Sequence, residues 1–334
     1  MNEIELWKTE PIYESSKPKD KKNNKFIFPS ARQAISHVLK LKKLGRKNRV
    51  AIPEWSSNCV INAIGKYCMP IPFNEIITYN IPVDAILIYE QWGWPVDYSK
   101  ILELAKKNNT IVICDRVDSC DIDTKAYDYK AYGVELIEIF SLFKLIGAYG
   151  GGLVRIDGKY LENNIKTYHN KISEIIWNHP DSNFFYHQLL DIHKNKLDCL
   201  HPKLITWIEN NDFFEIIYKE EKIRKKNLSY FIQSKLTKNW PKWMNEAYEN
   251  GAAPGIIPLF RNRSHEVINT YKKYFYKNFN IKSEFYHFNF SNNPYSSKYQ
   301  NSLAFPINNK IENLEIIINK IEDLGTSLNH VSTI

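Results

Sequence analysis

One lysine of the chain stands where its amine could do chemistry. In "IFSLFKLIGAYGGGLVRI", residues 139–156, Lys144 follows an apolar run, lies three residues after Ser141 and precedes three glycines. Such a lysine is either a surface residue whose ammonium reaches solvent or, in a dry pocket, an amine that loses its proton readily and attacks carbonyl groups. The Ser-x-x-Lys spacing also occurs in serine hydrolases, but nothing in the chain supplies the other motifs of those enzymes.

A carboxylate closes another apolar run. Asp115 ends "IVICD", whose apolar residues predict a buried strand. An unpaired carboxylate at such a place is costly to desolvate. Asp115 is therefore either a helix cap or a loop residue, or an anion that requires a cationic partner inside a site.

A helix is predicted to begin at "SARQA", residues 30–34, with Ser30 as its N-cap. This helix start is either ordinary capping or a cradle for a phosphate, because backbone N–H groups and the helix dipole both favour an anion there. The cradle, Asp115 and Lys144 follow one another along the chain. A pyridoxal-phosphate (PLP) enzyme needs this set: amides for the phosphate, a carboxylate for the pyridine nitrogen and a lysine for the aldehyde.

The elements that must position these residues alternate along the chain. Apolar runs predict strands at "RVAIPEW", "DAILIYE", "TIVICDRVDS", "VELIEIFS" and "GGLVRI", with helices between most of them, and "MPIPFNEII" predicts an edge strand interrupted by prolines. Because the strands are apolar throughout, we expect an α/β fold in which helices cover both faces of a mainly parallel sheet. Ligands of such sheets gather at the carboxyl ends of strands, where Asp115 and Ser141 lie.

The composition and the pattern of predicted elements change twice along the chain, which predicts three parts. Residues 1–25 carry a lysine-rich stretch ahead of the first element and form an N-terminal arm. Residues 26–230 form the large domain. Residues 231–334 hold the aromatic-rich "FYHFNFSNNPYSSKY" and the closing helix "IENLEIIINKIEDLG", and we expect a smaller α+β domain there.

Together these motifs resemble the DegT-like family of nucleotide-sugar aminotransferases, which are fold type I PLP enzymes, and the chain looks like a divergent member. "SARQAI" is similar to the family's S-G-T-x-A-L phosphate loop, and "RVAIPEWSSNCVINAI" to its P-x-y-T-x-x-x-x-x-A-I segment. "IVICDRVDS" resembles the family's acidic strand end, and "IFSLFKLIGAYGGGLV" its F-S-F…K…G-G segment. "LAFPINNKIENLEIIINKI" is similar to the end of the small domain, so the likeness runs through most of the chain.

The resemblance implies a role for each matching residue. Lys144 takes the Schiff-base position and moves protons, and Asp115 pairs with the pyridine nitrogen. Ser141, Ala31 and Arg32 contact the phosphate, and the guanidinium of Arg32 replaces a hydroxyl of the family.

Asp118 departs from the family's pattern. It stands where the family usually has Gln or His near the phenolic oxygen of the cofactor, so an anion replaces a neutral group. The spacing from Ser141 to Lys144 is shorter than in the family, and so is the region between Phe73 and Asp84. These departures bear on substrate and turnover more than on cofactor binding.

The residue that stacks on the cofactor ring is left open. Ser57 stands where many members have an aromatic residue. Trp55 is a candidate to replace it, as are Trp92 and Trp94, which otherwise pack in a turn. Asn183 matches an asparagine that reaches the phosphate of the neighbouring subunit.

The composition argues against several classes of protein. With 43% hydrophobic and 25% charged residues it is that of a globular protein, and no apolar run approaches the roughly 20 residues of a membrane span. The N-terminus lacks an apolar signal core, so we expect a cytoplasmic protein without a membrane partner. Five scattered cysteines and dispersed histidines argue against a disulfide framework and against a metal site. The net charge is +8, but the basic residues are interspersed with 37 acidic ones, and no nucleic-acid-binding pattern stands out. We therefore expect no nucleic-acid partner.

The sequence thus predicts a PLP-dependent aminotransferase. The resemblance implies glutamate as the amino donor, a nucleotide-linked keto-sugar as the acceptor, a role in surface polysaccharide or a related glycan, and a homodimer. Three alternatives stay open: another PLP reaction such as elimination or decarboxylation, a family member that only binds or assembles, and a phosphate- or nucleic-acid-binding module without PLP.

Overall fold

The protein alternates strands and helices through its first half, as the computed structural model shows for residues 4, 6, 26–121, 132–162, 202–293 and 297–331. The strands are β1 (Ile27–Phe28), β2 (Arg49–Ile52), β3 (Met69–Pro72), β4 (Ala85–Tyr89), β5 (Ile111–Asp115), β6 (Leu136–Ser141), β7 (Gly152–Ile156), β8 (Lys159–Tyr160), β9 (Ile256–Leu259), β10 (Glu284–Asn289) and β11 (Tyr299–Pro306). The α-helices are α1 (Ala31–Leu41), α2 (Asn58–Gly65), α3 (Phe73–Tyr79), α4 (Ser99–Asn108), α5 (Leu142–Ile146), α6 (Pro202–Asn210), α7 (Phe213–Ile232), α8 (Lys242–Glu249), α9 (His265–Phe279) and α10 (Leu314–Val331).

A mainly parallel sheet forms the larger part of the fold. Its strand order is β1-β7-β6-β5-β4-β2-β3, with β8 beside β7. Strands β2 to β6 run parallel, whereas β7 is antiparallel to β6 and pairs with the antiparallel β1 and β8 at the edge. Alternate residues of β4 enter different cores: Leu87 packs with α1 and α2, and Ile86 packs with α3 and α4. Helices therefore cover both faces, and the predicted α/β fold class is confirmed.

The predicted edge strand "MPIPFNEII" is only half strand. Met69–Pro72 pairs with β2 at the sheet edge, as the prolines indicated, but Phe73–Tyr79 is helix α3. Proline lacks the N–H that a longer ladder would need, so the strand ends at Pro72. Phe73 and Ile76 then bury one face of the helix at helical spacing.

A second, antiparallel sheet of order β10-β11-β9 lies in the later part of the chain. Its core includes Leu303 and Phe305 of β11 together with Leu228 and Phe231 from the end of α7. The start of α7 packs instead in a cluster beside the large sheet, so this one helix joins the two cores. The domain boundaries 1–25, 26–230 and 231–334 stay a prediction. Among the described helices, none is both long and apolar enough to cross a membrane.

Candidate active site

The carboxyl ends of β5 and β6 bring an acid and a lysine into one site. Asp115 ends β5, Asp118 follows in the next turn, and helix α5 begins directly after Ser141 at the end of β6. The Lys144 Nζ lies 3.0 Å from Asp118 Oδ1. The short Ser141-to-Lys144 spacing thus corresponds to a single helical turn that starts at the strand end.

Asp115 is buried, with 2% of its surface exposed. Its Oδ1 accepts a hydrogen bond from the Val117 N–H at 3.3 Å. Burial raises the pKa of Asp115 from 3.8 to about 7; the Lys144 ammonium opposes that rise and the Asp118 carboxylate adds to it. This acid stays protonated until near neutral pH, and a cation placed against it would lower its pKa.

The charge on Lys144 differs from the expectation for a lysine in a dry pocket. Burial by itself lowers the pKa of Lys144, but Asp118 and Asp115 raise it by more, and the net direction is upward. The amine is therefore held as an ammonium in the protein alone, because two acids lie beside it rather than apolar side chains only.

Within the glycine run, Gly152 packs against the start of helix α1 rather than against Lys144. The Ser30 side chain accepts a hydrogen bond from the Gln33 N–H at 3.3 Å, so Ser30 caps α1 as predicted. A Cβ on Gly152 would lie 2.6 Å from the Ala31 nitrogen, and a Cβ on Gly151 would press on the side chain of Leu142. The absence of side chains at the glycines thus lets the start of α1 lie directly against β7.

Ser141 belongs to the same place. It pairs with Gly152 across β6 and β7, and its side chain makes no cap hydrogen bond to α5. The start of α1, with Ala31 and Arg32 as its first residues, packs against Gly152 and is therefore brought beside Ser141. Arg32 is partly buried there.

Replacing Gly152 with alanine is expected to push the start of α1 away from β7. The added Cβ meets backbone atoms that have no room to move, and Gly152 does not need a positive φ, so the cost is one of contact. We expect PLP affinity to fall on the order of 10- to 100-fold, since small misplacements of a binding group have effects of that size. An absorbance titration with PLP measures it.

Gly65→Ala is the matched control, because a Cβ at Gly65 has nothing within 4 Å. It should bind PLP like the unaltered chain. Unaltered PLP affinity in Gly152→Ala would show that this contact does not shape the cradle.

Two residues that the sequence did not indicate contact Asp118 from neighbouring elements. The Tyr89 hydroxyl, at the end of β4, donates to Asp118 Oδ2 at 2.7 Å. The fully buried Arg224 of α7 donates to the carbonyl oxygens of Asp118 at 2.9 Å, of Lys144 at 3.2 Å and of Leu145 at 3.3 Å. Tyr89 could have been found from its position at a strand end. Arg224 could not, because it lies in a charged stretch typical of a solvated helix face.

Arg224→Met is expected to destabilise the protein strongly. The variant leaves the fully buried Glu220, which accepts from Arg224 Nε at 2.8 Å, without its cation. Breaking one side of a buried pair costs about 3–5 kcal/mol in the free energy of unfolding. Chemical denaturation measures the loss, and the double variant Glu220→Gln/Arg224→Met should recover part of it.

Lys225→Met is the matched control on the same helix. Lys225 pairs with Glu221 at the next position but is 38% exposed, so its loss should cost less than about 1 kcal/mol. Equal losses for Arg224→Met and Lys225→Met would contradict the role given to the buried pair.

The candidates for the stacking position lie in different places. Trp55 is 58% exposed and its ring lies against His287 and Tyr299, at centroid distances of 5.2 and 5.8 Å. Trp92 and Trp94 are buried in the core that α7 shares with the second sheet, which is the turn-packing role.

Ser57 precedes α2, and its hydroxyl lies 3.0 Å from Cys59 Sγ. Cys59 is among the groups that raise the pKa of Lys144, so the start of α2 lies near the lysine. Asn183 lies outside the described residues. Within the described part of the chain, no group of three or more His, Cys, Asp or Glu residues could hold a metal ion.

Three features of the site fit PLP. Asp115 is a buried acid whose raised pKa a pyridinium would relieve. The start of α1, held against Gly152 and beside Ser141, presents backbone N–H groups to a phosphate. Lys144 supplies an amine next to the acids.

The family described as "Putative PLP-dependent aminotransferase" matches residues 17–323. No curated protein matches the chain by sequence.

Solved structures share the fold of the chain. A "Putative sugar aminotransferase" of Streptococcus pneumoniae in its PMP form has a TM-score of 0.57 at 14% identity, over 98% of this chain and 94% of that one. A DegT DnrJ EryC1 StrS aminotransferase from Brucella abortus has a TM-score of 0.54 at 13% identity, over 90% and 85% of the two chains. An aromatic aminotransferase from Pyrococcus horikoshii has a TM-score of 0.53 at 12% identity, over 98% and 96%.

Proposed function

The chain belongs to the family of PLP-dependent aminotransferases, and from that premise we propose that it transfers an amino group from glutamate to a nucleotide-linked keto-sugar. The predicted enzyme class and the predicted cofactor, PLP, are confirmed by the family. The fold shared with sugar and DegT-type aminotransferases agrees with a divergent DegT-like member.

The observation that carries the proposal is the arrangement around Lys144. Its amine lies 3.0 Å from Asp118, its charge acts on the buried Asp115, and the neighbouring strand end leads to the α1 cradle. A lysine, a buried acid and a phosphate cradle are the three groups that PLP chemistry asks of a protein.

Each residue then has one task. In the holoenzyme, Lys144 Nζ would hold the cofactor through its aldehyde and, as a neutral amine, would move a proton at the carbon that carries the amino group. Asp115 keeps a positive charge on the pyridine nitrogen, and the α1 N–H groups with Ser141 bind the phosphate. PLP, when bound, supplies the aldehyde and a ring that withdraws electrons from the reacting carbon.

The proposal also names the class of acceptor, a nucleotide-linked keto-sugar. Sugar aminotransferases among the fold neighbours and the net charge of +8, which favours an anionic substrate, support a nucleotide-linked sugar. We further propose a homodimer, a cytoplasmic location and a role in surface polysaccharide or a related glycan, because the resemblance implies them.

Spectroscopy of the purified protein tests the function. PLP should give a visible absorbance band that glutamate bleaches, and a keto-sugar nucleotide should restore it. With nitrogen-labelled glutamate, mass spectrometry should find the label in the amino-sugar product.

The alternatives give different results. A band that neither glutamate nor a panel of other amino donors bleaches favours elimination or decarboxylation on the same scaffold. Bleaching by glutamate without amination of any nucleotide-linked keto-sugar would overturn the acceptor class and leave the aminotransferase. A chain that binds PLP and turns over nothing would be a binding or assembly protein.

A further inference from the structure

Asp118 is the residue of the site that the family's pattern leaves unexplained. It is 4% exposed on its side chain, and both of its carboxylate oxygens have partners. Oδ1 lies 3.0 Å from Lys144 Nζ, and Oδ2 accepts from the Tyr89 hydroxyl at 2.7 Å. A neutral Gln or His at this position could not form an ion pair with the lysine.

Arg224 of α7 fixes the backbone of both residues of this ion pair. Arg224 donates to the carbonyl oxygen of Asp118 and, with its other terminal nitrogen, to that of Lys144. A Cβ on Gly93 would lie 2.6 Å from the Asp118 carbonyl oxygen, and one on Gly255 would lie 2.8 Å from Arg224 Nη1. The buried guanidinium of Arg224 therefore fixes the backbone of both Asp118 and Lys144. Gly93 leaves room for the Asp118 carbonyl group, and Gly255 leaves room for the guanidinium.

The charges around the Lys144 amine make Asp118 its principal partner. Of the two acids, Asp118 raises the pKa of Lys144 more than Asp115 does, and Asp118 also makes the direct contact at 3.0 Å. Within the described part of the chain, the titratable and charged groups on the elements around the amine include Asp118 and Asp115 at the end of β5, Tyr89 of β4, Cys59 of α2 and Arg224 of α7.

We propose that Asp118 holds the Lys144 amine as an ammonium in the cofactor-free protein, and so sets the pH at which Lys144 captures an aldehyde. Capture begins when Nζ releases one proton to bulk water, which reaches the partly exposed lysine side chain. The neutral amine then forms a C=N bond to the carbonyl carbon, and the carbonyl oxygen leaves as water with the two hydrogens that the nitrogen gives up.

The inference deepens the proposed function and rests on it. It concerns the step in which Lys144 takes an aldehyde, and Asp118 acts on that step by keeping the amine protonated. Asp118 is thus a positioning residue that acts through the lysine.

The test measures capture by Lys144 rather than turnover. Full-length protein freed of cofactor is mixed with pyridoxal, which lacks the phosphate, over a series of pH values. Cyanoborohydride traps the product, and mass spectrometry of the Lys144 peptide gives the rate. Asp118→Asn removes the charge, and Tyr89→Phe is the matched control that removes a neighbouring hydrogen bond and keeps the carboxylate.

In the unaltered chain the rate should rise about tenfold per pH unit without levelling off below the ordinary lysine range of about 10.4. Asp118→Asn should capture at least about tenfold faster at a fixed neutral pH, since loss of an opposite charge at this distance shifts a pKa by about 1–3 units. Tyr89→Phe should stay within about twofold of the unaltered chain, because the charge that sets the lysine's pKa is still present.

Equal or slower capture in Asp118→Asn would overturn the inference, and so would an equal acceleration in Tyr89→Phe. If Asp118→Asn does not fold, the unaltered chain still tests the inference: a capture rate that levels off at neutral pH would overturn it. Because the assay needs no donor or acceptor, a chain that shows this pattern but does not transaminate would lose the proposed function and keep the role of Asp118.

Discussion

Lys144→Ala is expected to leave added PLP with the absorbance of the free aldehyde, without the shift that bonding to the protein causes, and to lower transamination by about 10³-fold or more, as the loss of a covalent and proton-moving group does. The amine is the group that the site is built around, with Asp118 at 3.0 Å and Asp115 acting on its charge. Absorbance after PLP addition and single-turnover kinetics with the donor measure both effects.

Lys144→Arg separates covalent chemistry from charge. The guanidinium keeps a cation beside Asp118, so the variant should be more stable than Lys144→Ala and equally inactive. Lys106→Ala, on the exposed last turn of α4, is the control and should keep the band. Retention of a donor-bleachable band in either Lys144 variant would contradict the assignment.

The strand-end residues of the site were predictable from the sequence. Apolar runs predicted β5 and β6, and the carboxyl ends of neighbouring parallel strands lie on one edge of a sheet, so Asp115 and Ser141 had to be close. Lys144 follows Ser141 within one helical turn, which the chain order alone brings to the same edge.

Packing partners from distant parts of the chain were not predictable. Glu220–Arg224 and Glu221–Lys225 are adjacent pairs with the same spacing in one charged helix. The first is fully buried and holds the site, while the second is partly exposed. Sequence spacing is identical for the two, and only the tertiary contacts of α7 with Asp118, 106 residues away, distinguish them.

The packing partners of the glycines and tryptophans could not be predicted from the sequence either. The run of glycines near Lys144 indicated close backbone approach, but not that the approach is between Gly152 and the start of α1. Trp92 and Trp94 were candidates for the cofactor ring because a turn rich in aromatic residues can serve either a ligand or a core.

Asp115→Asn is expected to stabilise the protein alone and to impair the enzyme. In the folded protein the pKa of Asp115 is raised from 3.8 to about 7, mainly by burial. Between these values the folded chain holds a proton that the unfolded chain has lost, so the free energy of unfolding falls as pH rises through this window. The cost is complete above pH 7, at about 4 kcal/mol at most, and an amide at this position removes it.

The functional effect has the opposite sign. An amide carries no negative charge for the pyridine nitrogen, so we expect turnover to fall on the order of 10²-fold or more, as when one preorganised electrostatic partner is removed. Asp97→Asn, at an exposed turn before α4, is the control and should keep turnover.

Denaturation of cofactor-free Asp115→Asn and of the unaltered chain at about pH 8 and about pH 4 measures the stability effect. The variant should be the more stable at the higher pH, and the difference should shrink to less than about 1 kcal/mol at the lower pH, where the acid is protonated in the folded state and about half protonated in the unfolded state. A difference that is the same at both pH values would show that the burial of a carboxylate is not its cause. Undiminished turnover in the variant would separate Asp115 from the cofactor and would require another acid in its place.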